Sequence, residues 1–336
     1  MSSMESPRVA RLHEALDQID DAMVLLSLYE VGAYAALVDG PATAAVIAER
    51  LSLVPHRLEA FLYLAANLGL IENRDSRFYL FEGDAEFFDS ANPQGTGLPT
   101  SLIQRTFRAK GRAVEILRGG APEVAAGSGG DAGPEQRASF LRYIDAVSTD
   151  GAQELASLLP DAAVRRVIDL GGGGGTYSHA VLTRYPEAHG LIVDRPDAEP
   201  TVLALAKERG FAQRLGFAAI DFINDPLPEG NDVAILSNIV HCFSAETNRA
   251  LVGRVAQSLA PGGVVAIKDY AVAADHAGPR SALLFAVSMA LYSDAGSVYS
   301  ADEVSGWCRE AGLRQIEAHA MTRTEGSYTV VARRLD

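Results

Sequence analysis

The stretch RVIDLGGGGGTYSHAVL, residues 166–182, places five consecutive glycines between a short apolar run and a predicted helix. Glycine after a buried strand lets the backbone turn tightly and lets a ligand approach the main-chain N–H groups. Asp169 stands just before the glycines, and Asp194 and Asp221 end the next two predicted strands. In a parallel sheet these positions share one edge, where ligands bind. The spacing therefore predicts a ligand site there.

Two cofactors compete for such a loop. A dinucleotide favours the pattern G-x-G-x-x-G. When the count starts at Gly171, its last position is Thr176; when it starts at Gly172, the last position is Tyr177. A carboxylate at Asp169 would also repel a pyrophosphate, whereas it can bind the ammonium group of a methionine moiety. We therefore expect S-adenosylmethionine rather than a dinucleotide.

The next two strand ends agree with this cofactor. Asp194 ends the stretch GLIVD, where a carboxylate can accept hydrogen bonds from both ribose hydroxyls. Asp221 can accept one from the adenine amine, and Phe222 beside it can cover the base. Acidic residues in this order on successive strands after a glycine loop favour a binding role over simple solvation of loops.

The elements that position these residues begin at Arg166, where short apolar strands start to alternate with helices. This rhythm predicts an α/β fold with a parallel, doubly wound sheet and helices on both faces. A strand pair around QIEAHAM and SYTVVARR ends the chain.

The first hundred or so residues are predicted to be mostly helical. A helix is expected over DAMVLLSLYEVGAYAALV, followed by two short helices around Pro55 and a strand pair with a turn at Asp75–Ser76. This order is a winged-helix pattern. Residues 118–135 are rich in Gly, Ala and Pro and are predicted to form a mobile loop or hinge, and QRASFLRYIDAVSTDGAQELASLL a helix. We divide the chain into a helical winged-helix domain (1–117), a linker and connecting helix (118–150) and a Rossmann-like domain (151–336).

Composition excludes several classes of partner. The chain has 336 residues and a formal net charge of −14, which argues against nucleic acid and anionic membrane. The longest apolar runs are too short to span a bilayer, and the N-terminal stretch has no signal-peptide core. Two cysteines, Cys242 and Cys308, make no disulfide framework and suit a reducing cytoplasm.

A family resemblance rests on VIDLGGGGGTYS, LIVDRP, the stretch from AIDF to SNIVHCFS, and LAPGGVVAIKDY. Together these motifs resemble the plant-type and antibiotic-biosynthesis small-molecule O-methyltransferases, over about residues 10–334. The resemblance implies an N-terminal winged-helix dimerisation domain, a class I Rossmann-like methyltransferase domain, S-adenosylmethionine as cofactor, and a homodimer. The implied reaction is in-line transfer of a methyl group to a hydroxyl of a small molecule, expected to be an aromatic secondary metabolite.

The residues that match the family's motifs indicate where the cofactor binds. The resemblance places cofactor contacts at Gly171, Asp194 and the Asp221–Phe222 pair. A lysine of the family after the fourth strand of the sheet corresponds here to Ser237. The full predicted set is Asp169, Gly171, Gly173, Asp194, Asp221, Phe222 and Ser237.

The predicted catalytic residues are His241 and Asp269. Members of the family typically have the sequence His-Asp-Trp after the fourth strand, and the histidine is their general base. In this chain His241 matches that histidine, and Cys242 and Phe243 replace the aspartate and the tryptophan. Of the seven histidines, only His241 is placed at a strand's carboxyl end facing the expected cofactor. Asp269 matches one acidic partner of that histidine, while the second falls near Val298 and is absent.

Acceptor contacts are expected from the helix after the linker and from residues 283–299. Met289, Tyr292 and Tyr143 are the predicted substrate-binding residues, and Phe140 is placed near the cofactor. No HxxxH motif or Cys/His cluster predicts a metal.

Two alternatives remain open at this point, and a third is disfavoured. The same fold and cofactor could serve C-methylation of a keto acid or an aromatic carbon. The departures at Ser237, Cys242 and Val298 also allow a cofactor-binding homologue with altered chemistry. A DNA-binding winged helix is disfavoured, because Arg50, His56 and Arg57 are too few basic groups for a phosphate footprint.

Overall fold

The computed structural model describes residues 7–89, 98–123 and 133–335. It divides into a compact unit that ends at Gln104 and a second unit that begins at Arg105. The boundaries predicted at residues 117 and 150 stay predictions. Residues 124–132 of the predicted loop or hinge lie outside the described residues.

The first unit consists mainly of helices with a small antiparallel sheet. In chain order its elements are α1 (Pro7–Glu30), a 3-10 helix (Ala35–Leu37), β1 (Ala42–Thr43), α2 (Ala44–Leu51), α3 (Pro55–Asn67), β2 (Glu72–Arg74), β3 (Arg77–Tyr79) and α4 (Ala85–Phe88). The sheet has the order β1-β3-β2.

Local sequence explains most of these elements. Asp75 and Ser76 join β2 to β3 with positive φ angles of 52° and 60°, which suits a tight hairpin turn. Pro55 occupies the first turn of α3, where no amide donor is needed. The long helix expected over residues 21–38 instead ends at Glu30, because Gly32 adopts a φ of +81° that an α-helix does not accommodate.

The second unit contains the large sheet. One helix, α5 (Thr100–Gly111), crosses the division between the units. The elements that follow are α6 (Ala113–Leu117), α7 (Pro134–Leu158), β4 (Arg166–Leu170), α8 (Thr176–Arg184), β5 (His189–Asp194), α9 (Glu199–Glu208), β6 (Leu215–Ala219), β7 (Asn231–Ser237), α10 (Ala245–Ser258), β8 (Leu259–Tyr270), α11 (Arg280–Tyr292), α12 (Ala301–Glu310), β9 (Arg314–Ala320) and β10 (Ser327–Arg333). The predicted alternation of strands and helices, and the final strand pair, are confirmed.

Seven strands form this sheet in the order β6-β5-β4-β7-β8-β10-β9. Neighbours from β6 to β8 are parallel, and β10 runs antiparallel to both β8 and β9. Successive residues of a strand point to opposite faces, so Val167 and Ile192 join one apolar core while Ile168 and Val193 join the other. Helices cover both faces, as a buried parallel sheet requires.

The parallel strands bring their carboxyl ends to one edge. The chain reverses direction across the sheet between β4 and β7, which are neighbours although two strands separate them in sequence. Ligands bind at such a switch point. Within the described part of the chain, no helix is long and apolar enough to cross a membrane.

Candidate active site

The glycine loop after β4 has a conformation that only glycine accommodates at Gly171. Its φ is +66°, and a β-carbon there would lie 2.2 Å from Cδ1 of Ile239. The Gly171 amide donates to the carbonyl of Val193 at 2.7 Å, which ties the loop to the end of β5. The predicted Gly171 site is therefore a bare-backbone surface at the switch point.

Gly173 links the loop to the predicted ribose acceptor. Its amide donates to Oδ2 of Asp194 at 2.9 Å, and its φ of +55° also favours glycine. Oδ1 of Asp194 accepts from the Arg195 amide at 2.7 Å. Two amide donors leave part of the carboxylate's acceptor capacity for a pair of hydroxyls.

An arginine that the sequence analysis missed accompanies Asp194. Arg137 of α7 is buried, and its Nη2 lies 3.8 Å from Oδ1 of Asp194. Its Nε lies 3.6 Å from Oδ2 of Asp197. Burial lowers the pKa of Arg137, and the two carboxylates oppose that effect. No local pattern marks Arg137, since it lies on a helix distant in sequence from Asp194.

Asp169 lies beneath the loop. A β-carbon at Gly172 would lie 2.8 Å from Cγ of Asp169, and Ser178 donates its hydroxyl to Oδ2 at 2.8 Å. Burial, with a smaller contribution from Asp194, raises the pKa of Asp169 to about 7. A cation above the loop would lower that pKa again. Contact with an ammonium group stays a prediction.

The carboxylate of Asp221 is engaged in its own turn. It accepts from the Ile223 amide at 3.0 Å and from Nδ2 of Asn224 at 2.7 Å. The hydrogen bond from Asn224 is the main reason why the pKa of Asp221 lies below its usual value. An adenine amine would have to share these oxygens, so the predicted contact remains untested.

Phe222 and Ser237 lie closer to the glycine loop. A β-carbon at Gly171 would lie 3.7 Å from the Phe222 ring, which is half-buried and meets Phe243 edge-on at 6.2 Å. Ser237 ends β7, and its buried Oγ interacts with the Tyr177 hydroxyl of α8. A bare backbone loop, a carboxylate with spare acceptor capacity and an aromatic ring all fit S-adenosylmethionine.

His241 and Asp269 form a buried pair across the ends of β7 and β8. Nδ1 of His241 lies 2.8 Å from Oδ1 and 3.1 Å from Oδ2 of Asp269. The same carboxylate accepts the amides of His241 at 3.2 Å and Tyr270 at 2.7 Å. These contacts hold the imidazole in one orientation. They leave Nε2 as the ring nitrogen that can contact the hydroxyl of a methyl acceptor.

The pKa of His241 reflects two opposed effects. Burial lowers it, but the negative charge of Asp269 and its hydrogen bond outweigh burial and raise the pKa to about 10. A smaller raising contribution comes from Cys242. The pair therefore stabilises the protonated imidazole, which is the form that a general base produces when it accepts a proton.

Aromatic side chains surround the imidazole. The Phe285 ring of α11 meets the His241 ring edge-on at 4.8 Å and stacks on Tyr270 at 3.8 Å. Tyr270 has a raised pKa through burial, with contributions from Asp269 and from Tyr143 of α7. The predicted Tyr143 thus interacts electrostatically with Tyr270. Phe285 and Tyr270 were missed, although Phe285 shares a helical face with Met289 at a spacing of four residues.

The other end of α11 carries Tyr292, which was predicted to bind substrate. Its hydroxyl lies 3.5 Å from Oγ1 of Thr106, and its ring lies 4.9 Å from the guanidinium of Arg105. Phe140, also named from the sequence, lies 5.9 Å from the same guanidinium. Arg105 was not predicted, because nothing in its local sequence separates it from its arginine neighbours.

Val298 occupies the position where the family's second acidic residue was expected. It is buried with Val272 and Ala282 in a small apolar cluster. His241 therefore has one acidic partner in the described structure, Asp269. Among the described residues no group of three or more His, Cys, Asp or Glu side chains could hold a metal ion.

A doubly wound sheet with this glycine loop, acidic strand ends and a His–Asp pair defines a class I methyltransferase. Residues 129–314, more than half of the chain, match the O-methyltransferase domain family, and the chain belongs to that family. It is an S-adenosylmethionine-dependent O-methyltransferase, as the resemblance implied.

Individual relatives are methyltransferases that act on oxygen or on nitrogen, as their names state. The chain is 32% identical over 306 residues to 3-hydroxy-5-methyl-1-naphthoate 3-O-methyltransferase of Streptomyces sahachiroi, which covers 87% of this chain and 86% of that one. It is 27% identical to the N,N-dimethyltransferase OxyT of Streptomyces rimosus, over 93% of this chain and 92% of that one. An O-methyltransferase family protein from Burkholderia thailandensis superposes with a TM-score of 0.85 over 99% of both chains at 22% identity, which shows the shared fold.

Proposed function

We propose that this enzyme methylates a hydroxyl of an aromatic secondary metabolite and that His241 is the general base. The observation that carries the proposal is the His241–Asp269 pair at 2.8 Å beside the rings of Phe285 and Tyr270. The naphthoate methyltransferase relative acts on a hydroxylated aromatic acid, as its name states. The family match favours transfer to oxygen over the C-methylation alternative.

Each group has a task that its position allows. S-adenosylmethionine, when bound, supplies a methyl group on a positively charged sulfur. Asp194 and the bare backbone of the loop at Gly171 and Gly173 would hold it at the switch point. Alignment of acceptor and methyl group contributes up to roughly 7–11 kcal/mol to catalysis of such a displacement. The positioning of the acceptor next to the methyl group is therefore the largest contribution to catalysis that we consider.

His241 removes the proton. Nε2 accepts it from the acceptor hydroxyl as the new bond to oxygen forms, and Asp269 stabilises the imidazolium through Nδ1. A positioned base of this kind contributes about 10²–10⁴-fold to the rate. Phe285 and Tyr270 keep water from the imidazole and offer flat apolar surfaces to an aromatic acceptor.

A variant series with hydroxylated naphthoates as probes tests this function. His241→Ala should lower kcat by about 10²–10⁴-fold, because the proton acceptor is lost. Its affinity for S-adenosylhomocysteine, measured by calorimetry, should stay near that of wild type. His319→Ala is the control, since His319 lies on the outer strand β9. A loss below tenfold in His241→Ala would remove His241 from the catalytic residues, and no methylation of any aromatic hydroxyl would overturn the acceptor class.

We also propose a homodimer formed through the first unit. Helix α1 exposes Leu12, Leu16 and Ile19 by 69%, 63% and 63%, at spacings of four and three residues. Such residues share one helical face, and an apolar stripe of this kind fits a subunit interface.

The free thiols of Cys242 and Cys308 are in keeping with work in a reducing cytoplasm.

A further inference from the structure

Arg105 is a buried cation without a described acidic partner. Only 8% of its surface is exposed, and its Nε is buried with no hydrogen-bond partner among the described residues. Burial is the main cause that lowers its pKa. Buried charges are costly unless they are paired, so this guanidinium favours an anion.

The carboxylate whose charge acts on Arg105, that of Glu123, is already engaged. Glu123 accepts from Nε of Arg108 at 2.9 Å and from Nη1 of Arg112 at 3.0 Å. Tyr292 contributes a ring at 4.9 Å and a favourable interaction through its hydroxyl, but no formal negative charge. In the described chain, no carboxylate forms an ion pair with Arg105.

Helix α11 connects Arg105 with His241. Phe285, Met289 and Tyr292 follow one another at spacings of four and three residues and so share one face of the helix. Phe285 meets the His241 ring at 4.8 Å, and Tyr292 meets the Arg105 guanidinium at 4.9 Å. Seven helical residues rise by about 10 Å. The base and the cation therefore stand at opposite ends of one apolar wall.

We propose that Arg105 binds a carboxylate on the aromatic acceptor, which makes the substrate a hydroxylated aromatic acid. A hydroxyl beside His241 and a carboxylate beside Arg105 require a ligand that carries both groups on one ring system. A guanidinium binds a planar carboxylate in a bidentate manner, and the flanking rings of Tyr292 and Phe140 favour a flat ligand. This inference rests on the proposed function, because it uses the same acceptor site.

The test compares a charged acceptor with its neutral counterpart. The probes are 3-hydroxy-1-naphthoate and 3-hydroxy-1-naphthamide, which differ little in shape. Wild-type enzyme should favour the carboxylate by about 10- to 100-fold in kcat/KM, since hydrogen bonds to charged groups are the stronger ones. The difference should lie mainly in KM, because Arg105 binds the acceptor and does not touch the reacting atoms.

Substitution of Arg105 should remove that preference. Arg105→Met should lower kcat/KM for the naphthoate by about 10- to 100-fold and leave the naphthamide nearly unchanged, and Arg105→Lys should recover part of the loss. Arg249→Met is the matched control, because Arg249 is a half-exposed surface arginine paired with Glu310. Melting temperatures and S-adenosylhomocysteine affinities report whether each variant folds.

Two results would overturn the inference without touching the proposed function. One is a wild-type enzyme that methylates the naphthamide as well as the naphthoate. The other is an Arg105→Met variant that is folded and loses both activities equally, which would indicate a structural role. If Arg105→Met does not fold, two measurements still test the inference: the preference of wild-type enzyme for naphthoate over naphthamide, and the same preference in Arg105→Lys. Absence of methyl transfer to every aromatic hydroxyl would instead contradict the proposed function itself.

Discussion

Nδ1 of His241 lies 2.8 Å from Oδ1 of Asp269, although 28 residues separate the two in the chain. The carboxylate accepts two main-chain amides as well, so it is held in place whether or not the imidazole is charged. A fixed carboxylate raises the basicity of the imidazole and directs Nε2 away from itself.

The pH dependence of methyl transfer should report this pair. The pKa of His241 is raised to about 10, so the neutral form that accepts a proton increases as the pH rises through the alkaline range. The rate should rise with pH accordingly. Asp269→Asn removes the charge that raises the pKa and leaves burial, which lowers it. The ascending limb should therefore move to lower pH, and the limiting rate should fall by about 10²-fold or more.

Profiles of kcat from neutral to alkaline pH, with Asp302→Asn as control, measure this shift. Asp302 is an exposed residue in the first turn of α12. An unchanged limb in Asp269→Asn would show that the rate does not depend on ionisation of His241.

Asp194 should govern cofactor affinity. Asp194→Ala removes the acceptor for two ribose hydroxyls, and hydrogen bonds to a charged group contribute about 1.5–3 kcal/mol each. We expect affinity for S-adenosylhomocysteine to fall by more than tenfold in calorimetry. Asp161→Ala serves for comparison, since the Asp161 side chain is 98% exposed. Equal affinity in the two variants would rule out the ribose assignment.

Gly171 should not tolerate a side chain. In Gly171→Ala the β-carbon would meet Ile239 at 2.2 Å in a backbone conformation with φ of +66°. Strain and overpacking together should lower the free energy of unfolding by about 2–5 kcal/mol, with loss of cofactor binding. Gly253→Ala is a matched control within α10, where nothing lies within 4 Å of an added β-carbon. That control should be stabilised by about 0.5–1 kcal/mol, and chemical denaturation compares the two.

Self-association should depend on the exposed face of α1. Leu16→Glu places a charge in the stripe of Leu12, Leu16 and Ile19 and should weaken the dimer by tenfold or more, as a desolvated unpaired charge is costly. Sedimentation velocity of the intact protein measures the effect. Leu117→Glu, at a residue 82% exposed on α6, should leave association unchanged. A monomeric wild-type protein would refute the proposed interface.

Much of the candidate site could be predicted because its residues lie in local patterns. Glycines after an apolar strand and acidic residues at successive strand ends are short-range signals, and β4, β5 and β7 appear where those signals place them. The end of α1 was the main error in the elements. Its apolar spacing continues past Glu30, and the pattern alone does not show that Gly32 takes a positive φ.

The sequence by itself determined the class of fold, the glycine loop after β4 and the place of His241 in the turn that follows β7. Parallel strands bring their carboxyl ends together whatever covers the sheet, so these features follow from chain order. Only the tertiary structure decided which polar side chains are buried and which rings surround them. Arg105, Arg108 and Arg112 lie on one short stretch of sequence, yet Arg105 alone of the three is buried, because Phe140 and Tyr292 pack over it from distant helices. Whether a long charged side chain is buried or paired depends on such contacts between elements that are distant in sequence. The spacing of residues along the chain does not predict these contacts.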